Sequence, residues 1–174
     1  MVQRIHILGG PGSGKTYAAG RLSRMLQIPA HDLDGLFWDV QADRYGRRAA
    51  EDGRDTKLAG IARQEQWIVE GVYYTWLKPV FERADLIAVL QPHVFMRDLR
   101  IVRRFGYRKL GISTSKQEGF GDLYRLLLWN HQYDTANLKR AMECIEPYVH
   151  KFIHCRSADE LVSRVLKSVN QSIV

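Results

Sequence analysis

Apolar residues occur along this chain in two patterns: short unbroken runs, and stretches where they recur every third or fourth position. RIHIL, residues 4–8, is an unbroken run that stops at two glycines, the form of a strand buried on both faces. From Gly14 to Leu26 the apolar positions Tyr17, Ala18, Leu22, Met25 and Leu26 follow helical spacing. IPAHDLD predicts a second short strand with Asp32 and Asp34 near its C-terminal end. QWIVEG predicts a third, stopping at Glu70 and Gly71, and ADLIAVLQP a fourth, ended by Pro92. HKFIHC predicts the fifth.

The helices fall between these runs. One is expected around residues 56–64, after the exposed, doubly charged insertion QADRYGRRAAEDGRD. A basic helix, VFMRDLRIVRRF, precedes a glycine- and serine-bearing loop, GYRKLGISTSKQEGFG. The long region DLYRLLLWNHQYDTANLKRAMECIEPY is helical, with a break near Tyr133 and Asp134. SADELVSRVLKSV is a last helix, in which Ser157 and Glu160 have capping-box spacing. Strands alternating with helices predict an α/β fold, a parallel sheet covered on both faces. In such sheets ligands collect beyond the carboxyl ends of the strands. Residues 9–16, Asp32, Asp34, Glu70 and Arg156 all follow predicted strands and are expected to converge there.

Composition adds limits. At 174 residues and 45% hydrophobic, the chain suits one domain over residues 1–174 with a substantial core. The net charge of +7 suits polyanionic ligands, nucleotides or nucleic acid, without choosing between them. Cys144 and Cys155 form neither a metal-like pair nor a disulfide framework, and read as reduced thiols. No apolar run approaches membrane-spanning length and no signal-like segment opens the chain. The expectation is a cytoplasmic protein with no membrane partner.

The first glycines belong to Gly9, Gly10, Pro11, Gly12, Ser13, Gly14, Lys15 and Thr16, which satisfy G-x-x-x-x-G-K-[ST], the P-loop or Walker A pattern. Glycines let the backbone curl closely around phosphates, presenting N–H groups without side-chain obstruction. The helix that follows points its positive end into the same cradle. Lys15 can neutralise the β and γ phosphates, and the Thr16 hydroxyl can ligate Mg²⁺. Placed between a strand and a helix, the pattern predicts nucleotide binding, with ATP and Mg²⁺ as donor and cofactor.

Phosphoryl transfer also needs an acid near the metal, an acceptor pocket and cations that follow the migrating charge. Glu70 is placed to hold a metal-bound water or to orient the nucleophile. Asp32 and Asp34, two apart, share a face if the strand extends through both. Asp34, nearer the strand tip, is the candidate base for the acceptor hydroxyl; the alternative is helix capping before GLFW. Arg97, Arg100, Arg103 and Arg104 share roughly one helical face and form a candidate phosphate clamp. Phe37, Trp38, Tyr73, Tyr74 and Trp76 are candidates for the wall of an acceptor or base pocket. His6, inside the first strand, reads as a core histidine, and the other histidines lack metal-ligand spacing.

With ILGGPGSGKT, HDLDGLFW, WIVEGVY, ADLIAVLQP and the arginine helix in view, the chain resembles the adenylate-kinase-like branch of P-loop kinases. It is similar in particular to small bacterial proteins known as adenylate-kinase-related or DNA topology modulation proteins. That resemblance implies a three-layer nucleoside/nucleotide-kinase-like fold with five parallel strands. It implies an acceptor-binding segment over about residues 34–66 and a short lid over about 97–120. Adenine is expected between a lid arginine, Arg103, and the backbone near Arg156, with Tyr17 beside the phosphate loop. Adenylate kinases follow D-G-F-P with an arginine that grips the AMP phosphate. EGVYYTW offers aromatics there instead, which argues against AMP and leaves a nucleoside, a modified nucleotide or another small hydroxyl compound. Arg44, Arg47, Arg48 and Arg54, from the following segment, can still bring cations to an acceptor that carries a phosphate.

The leading expectation is therefore an ATP-dependent small-molecule kinase in which Lys15, Asp34, Glu70, Arg97, Arg100 and Arg104 carry the chemistry. A nucleotide-regulated module acting near DNA is the alternative from another class, and acceptor-independent NTP hydrolysis a third. No helix-turn-helix, zinc-finger or RNP pattern accompanies the positive charge.

Overall fold

The computed structural model describes residues 2–39, 47–110 and 119–171. Its centre is a five-stranded, all-parallel sheet in the order β2-β3-β1-β4-β5. The strands are β1 (Arg4–Leu8), β2 (Ala30–Asp32), β3 (Trp67–Gly71), β4 (Leu86–Leu90) and β5 (Phe152–Cys155). Each lies within a run expected from the sequence. The α/β fold with five parallel strands is thus the observed one.

β1, β3 and β4 are buried from end to end apart from Arg4, so their sequences read as continuous apolar runs. The two-residue period then divides their side chains between two cores. On one face Leu8, Trp67, Val69, Ile87 and Val89 pack with α3 (Glu51–Arg63), α4 (Lys78–Arg83) and α7 (Leu138–Ile145). On the other, Ile5, Ile7, Ile68, Ala88 and Leu90 pack with α1 (Lys15–Leu26) and α8 (Ala158–Gln171). Burying each large side chain stabilises the fold by roughly 1.5–3 kcal/mol. Helices on both faces leave the carboxyl edge of the sheet as the open crevice. The register lines that edge up: Leu8 pairs with Gly71 and Val89, Asp32 with Glu70, and Leu90 with Cys155.

Several elements depart from the expected boundaries. α3 begins at Glu51 rather than near residue 56, because Glu51 and Asp52 suit the positive start of a helix. α2 (Asp34–Phe37) and α4 are too short to show a period, although Pro79 marks the first turn of α4. α5 (Val94–Lys109) runs through GYRK, which the sequence pattern assigns to a loop; Arg108 and Lys109 complement its C-terminal end. The break near Tyr133 and Asp134 is a π-helical turn, Tyr133–Asn137, between α6 (Phe120–Gln132) and α7. Residue 40, residues 41–46 of the insertion, including Arg44, and residues 111–118 of the expected lid lie outside the described residues. Among the described residues no helix is long and apolar enough to cross a membrane.

Candidate active site

Residues 9–16 carry the chain from the end of β1 into α1. Gly12 (φ +69°) and Gly14 (φ +96°) occupy the left-handed region, where a side chain would strain the backbone. The loop is also pressed from behind by α5. A Cβ on Gly10 would stand 2.5 Å from Arg97 Nη1, and one on Gly12 would stand 2.6 Å from the Arg97 carbonyl oxygen. Arg100 Nη1 donates to the carbonyls of Gly12 (3.1 Å) and Ser13 (2.9 Å). A trans peptide sets C=O and N–H antiparallel, so holding the Ser13 carbonyl toward Arg100 turns the Gly14 N–H the opposite way. The first amides of α1 also lack intrahelical partners. This nest of N–H groups, with half-buried Lys15 beside it, can hold a phosphate chain.

Two carboxylates stand next to the nest. Thr16 Oγ1 donates to Glu70 Oε1 at 2.6 Å, and Glu70 is 2% exposed with Oε2 buried and unpartnered. Burial raises the pKa of Glu70 above the ordinary carboxylate range; Lys15 and the Thr16 hydroxyl pull it back, and Asp32 and Asp34 push it further up. Burial raises Asp32 as well, opposed by its bond from the Asp34 amide, with the Asp34 charge adding to the rise and Lys15 countering it. Among the described residues no group of three or more His, Cys, Asp and Glu is placed to cage a metal. A threonine hydroxyl with one carboxylate, one of whose oxygens is unsatisfied, fits Mg²⁺, which takes few protein ligands and completes its shell with phosphates and water.

Asp32 and Asp34 do not share a strand face. The strand ends at Asp32, whose Oδ1 accepts the Asp34 amide at 2.8 Å, while Asp34 opens α2. The Asp32 side chain thus closes the turn into α2, and the Asp34 carboxylate is left exposed beside Tyr73. There Asp34 Oδ1 accepts the Tyr73 hydroxyl at 2.7 Å. Burial, then the hydrogen bond to Asp34, raises the pKa of Tyr73, so it remains a neutral donor.

The four helix arginines separate. Arg97 is fully buried, its Nη2 donating to Asp134 Oδ2 at 2.6 Å within the π-helical turn. Arg100 supports the loop carbonyls. Arg103 and Arg104 are exposed, with Arg103 lying 5.9 Å over the Tyr107 ring. A shared helical face thus splits between loop support and solvent, because the loop covers only the start of α5. Tyr17 is exposed beneath Arg21, 5.6 Å away. Arg156 is exposed after β5, and its amide donates to Glu160 Oε2 at 2.8 Å. Ser157 Oγ accepts the Glu160 amide at 3.1 Å, so the capping box is displaced by one residue on the glutamate side.

Beyond Tyr73 opens a cavity of about 340 Å³. Phe37, Tyr73, Tyr74 and Trp76 line it as expected; Trp38 does not, packing edge-on against Phe37 at 4.8 Å. Sequence reasoning missed Trp129 and Asn137, which reach the cavity from α6 and the π-helical turn. Their only signal was the interrupted periodicity near residue 133. Of the arginines offered by the following segment, Arg48 and Arg54 line the same cavity and bring cations that EGVYYTW lacks.

No protein-family model matches the chain. An uncharacterized protein of Bacillus subtilis (strain 168), YqaC, is 24% identical, the match covering 95% of this chain and 97% of that one. The fold is shared with small-molecule kinases. A sugar kinase from Janibacter sp. HTCC2649 aligns with a TM-score of 0.58 at 14% identity, over 98% of this chain and 95% of that one. Shikimate kinase from Acinetobacter baumannii, solved with shikimate, aligns with a TM-score of 0.54 at 18% identity, over 99% and 95%.

Proposed function

We propose that this protein is an ATP- and Mg²⁺-dependent phosphotransferase, adenylate-kinase-related in type, acting on a nucleoside, nucleotide or related small hydroxyl compound. One observation carries the reading. A run of contacts leads from the phosphate loop through Thr16 and Glu70, across the paired strand ends to Asp32 and Asp34, and on through Tyr73 into the cavity. Kinases that act on sugars and shikimate share the fold.

In this mechanism the loop amides and Lys15 hold the donor phosphates, and Thr16 and Glu70 hold Mg²⁺. When bound, the metal neutralises phosphate charge and orients the γ-phosphoryl group. Asp34 accepts the acceptor's hydroxyl proton as that oxygen bonds to the γ-phosphorus. The bond from the γ-phosphorus to the β–γ bridging oxygen breaks, and the electron pair leaves with ADP. Tyr73 orients the Asp34 carboxylate. Arg100 acts through the Gly12 and Ser13 carbonyls it holds, and Arg104, exposed one turn further along α5, meets the phosphates from the solvent side.

The test is ADP release by purified protein with ATP and Mg²⁺, with and without nucleosides, nucleoside monophosphates and small hydroxy acids. Acceptor-stimulated release is expected, with Lys15→Ala reducing it by about 10³-fold while the circular dichroism spectrum is retained. Turnover unaffected by Lys15→Ala, or full-rate hydrolysis without any acceptor, refutes the reading.

A further inference from the structure

Five aromatic side chains line the cavity beyond Tyr73, and two guanidiniums stand among them. Arg54 lies 4.6 Å over the Trp76 ring, and Arg48 lies 5.4 Å over Phe37. Phe37 in turn stacks on Tyr73 at 4.5 Å, which ties this wall to Asp34 through the Tyr73 hydroxyl. Arg54 has a side chain only 11% exposed, and its Nε donates to Asp55 Oδ1 at 2.8 Å. A guanidinium stacked on a ring keeps its N–H groups in its own plane. With Nε committed to Asp55, Arg54 still has its two Nη groups as donors. Holding a cation in an aromatic wall costs solvation that one partly exposed aspartate only in part offsets. Such a cost is recovered when the cavity takes up an anion.

We infer that the acceptor carries its own anionic group, a carboxylate or a phosphate, on a ring-bearing body. Arg48 and Arg54 hold that group, the ring lies among Phe37, Tyr73 and Trp76, and the reacting hydroxyl faces Asp34. Glu51 is the one carboxylate in the lining, so the two arginines outnumber it and the cavity suits a single anionic group rather than two. The inference rests on the kinase reading and specifies its acceptor.

The experiment compares matched acceptors in the ADP-release assay. Nucleosides are set against their 5′-monophosphates, and neutral cyclic polyols against ring hydroxy acids such as shikimate. The anionic member of one pair is expected to have a kcat/KM about 10- to 100-fold higher, as expected for charge-assisted hydrogen bonds; which pair responds separates phosphate from carboxylate. R48M is expected to raise the acceptor KM about 10-fold while the ATP KM stays within about twofold. Arg48 is exposed, so R48M is expected to melt within a few degrees of the native protein, and R54K tests the less exposed site with its charge kept. Neutral and anionic members turned over equally, or an ATP KM that rises with the acceptor KM, overturns the inference alone. Bound ATP with no acceptor-stimulated turnover in either series overturns the kinase reading, and the inference with it.

Discussion

Asp134→Ala tests how the phosphate loop is supported. Arg97 is fully buried between the loop and the π-helical turn, its Nη2 2.6 Å from Asp134 Oδ2 and 3.5 Å from the Asn130 carbonyl oxygen. Removing the aspartate leaves a guanidinium in the interior whose remaining acceptor is one long carbonyl contact. Breaking a buried pair from one side costs about 3–5 kcal/mol. The Asp134 side chain is 28% exposed, so water partly replaces it, and the lower end, about 3 kcal/mol, applies. For a chain of this size that lowers Tm by about 6–12 °C. Urea unfolding monitored by tryptophan fluorescence measures it. The double variant Arg97→Met/Asp134→Ala removes the stranded charge and is expected to recover at least about 1.5 kcal/mol relative to the sum of the single losses. A loss below about 1 kcal/mol for Asp134→Ala, or strict additivity in the cycle, would refute the argument that this pair is the buried rivet under the loop.

Two further outcomes follow from the acids and bases of the sheet edge and core. Burial raises the pKa of Glu70, so it takes up a proton above the pH where an ordinary carboxylate would. kcat/KM is therefore expected to fall on acidification before ordinary carboxylates titrate. Glu70→Gln is expected to lower kcat by about 10²-fold and to move that limb, leaving only the part due to Asp32, whose pKa burial also raises; a limb unchanged in the variant contradicts the assignment. His6 is fully buried, with Nδ1 3.1 Å from the Val69 carbonyl oxygen, and burial lowers its pKa to about 4. Between that value and the ordinary 6.5 the unfolded chain binds the extra proton, so stability is full above 6.5 and is lost as pH falls toward 4. The contribution is about 3 kcal/mol across that window, read as the difference in urea-unfolding free energy between native protein and His6→Gln. Parallel curves for the two proteins would rule it out.

The alternation of apolar runs and helical periods was enough to locate all five strands and the long helices, because burial on both faces leaves a local imprint. Residues 9–16 were legible for a similar reason: a backbone turn at positive φ requires glycine at positions 12 and 14 themselves. Contacts between distant residues left no such imprint. That Asp34 turns away from Asp32 depends on where β2 stops, which pairing with β3 decides. The four arginines of α5 have the same chemistry and spacing on paper. Docking against the loop made Arg97 a core residue and Arg100 a strut, and left Arg103 and Arg104 on the exposed part of the helix. The cavity is the clearest case, since its lining comes from α2, the segment before α3, α3 itself, the segment after β3, α6 and the π-helical turn. Periodicity and glycine report what each segment demands of its own backbone and faces, and so determine the elements and the loop. Which side chains from separate segments share one volume is set by how the layers pack, and only the tertiary structure decides that.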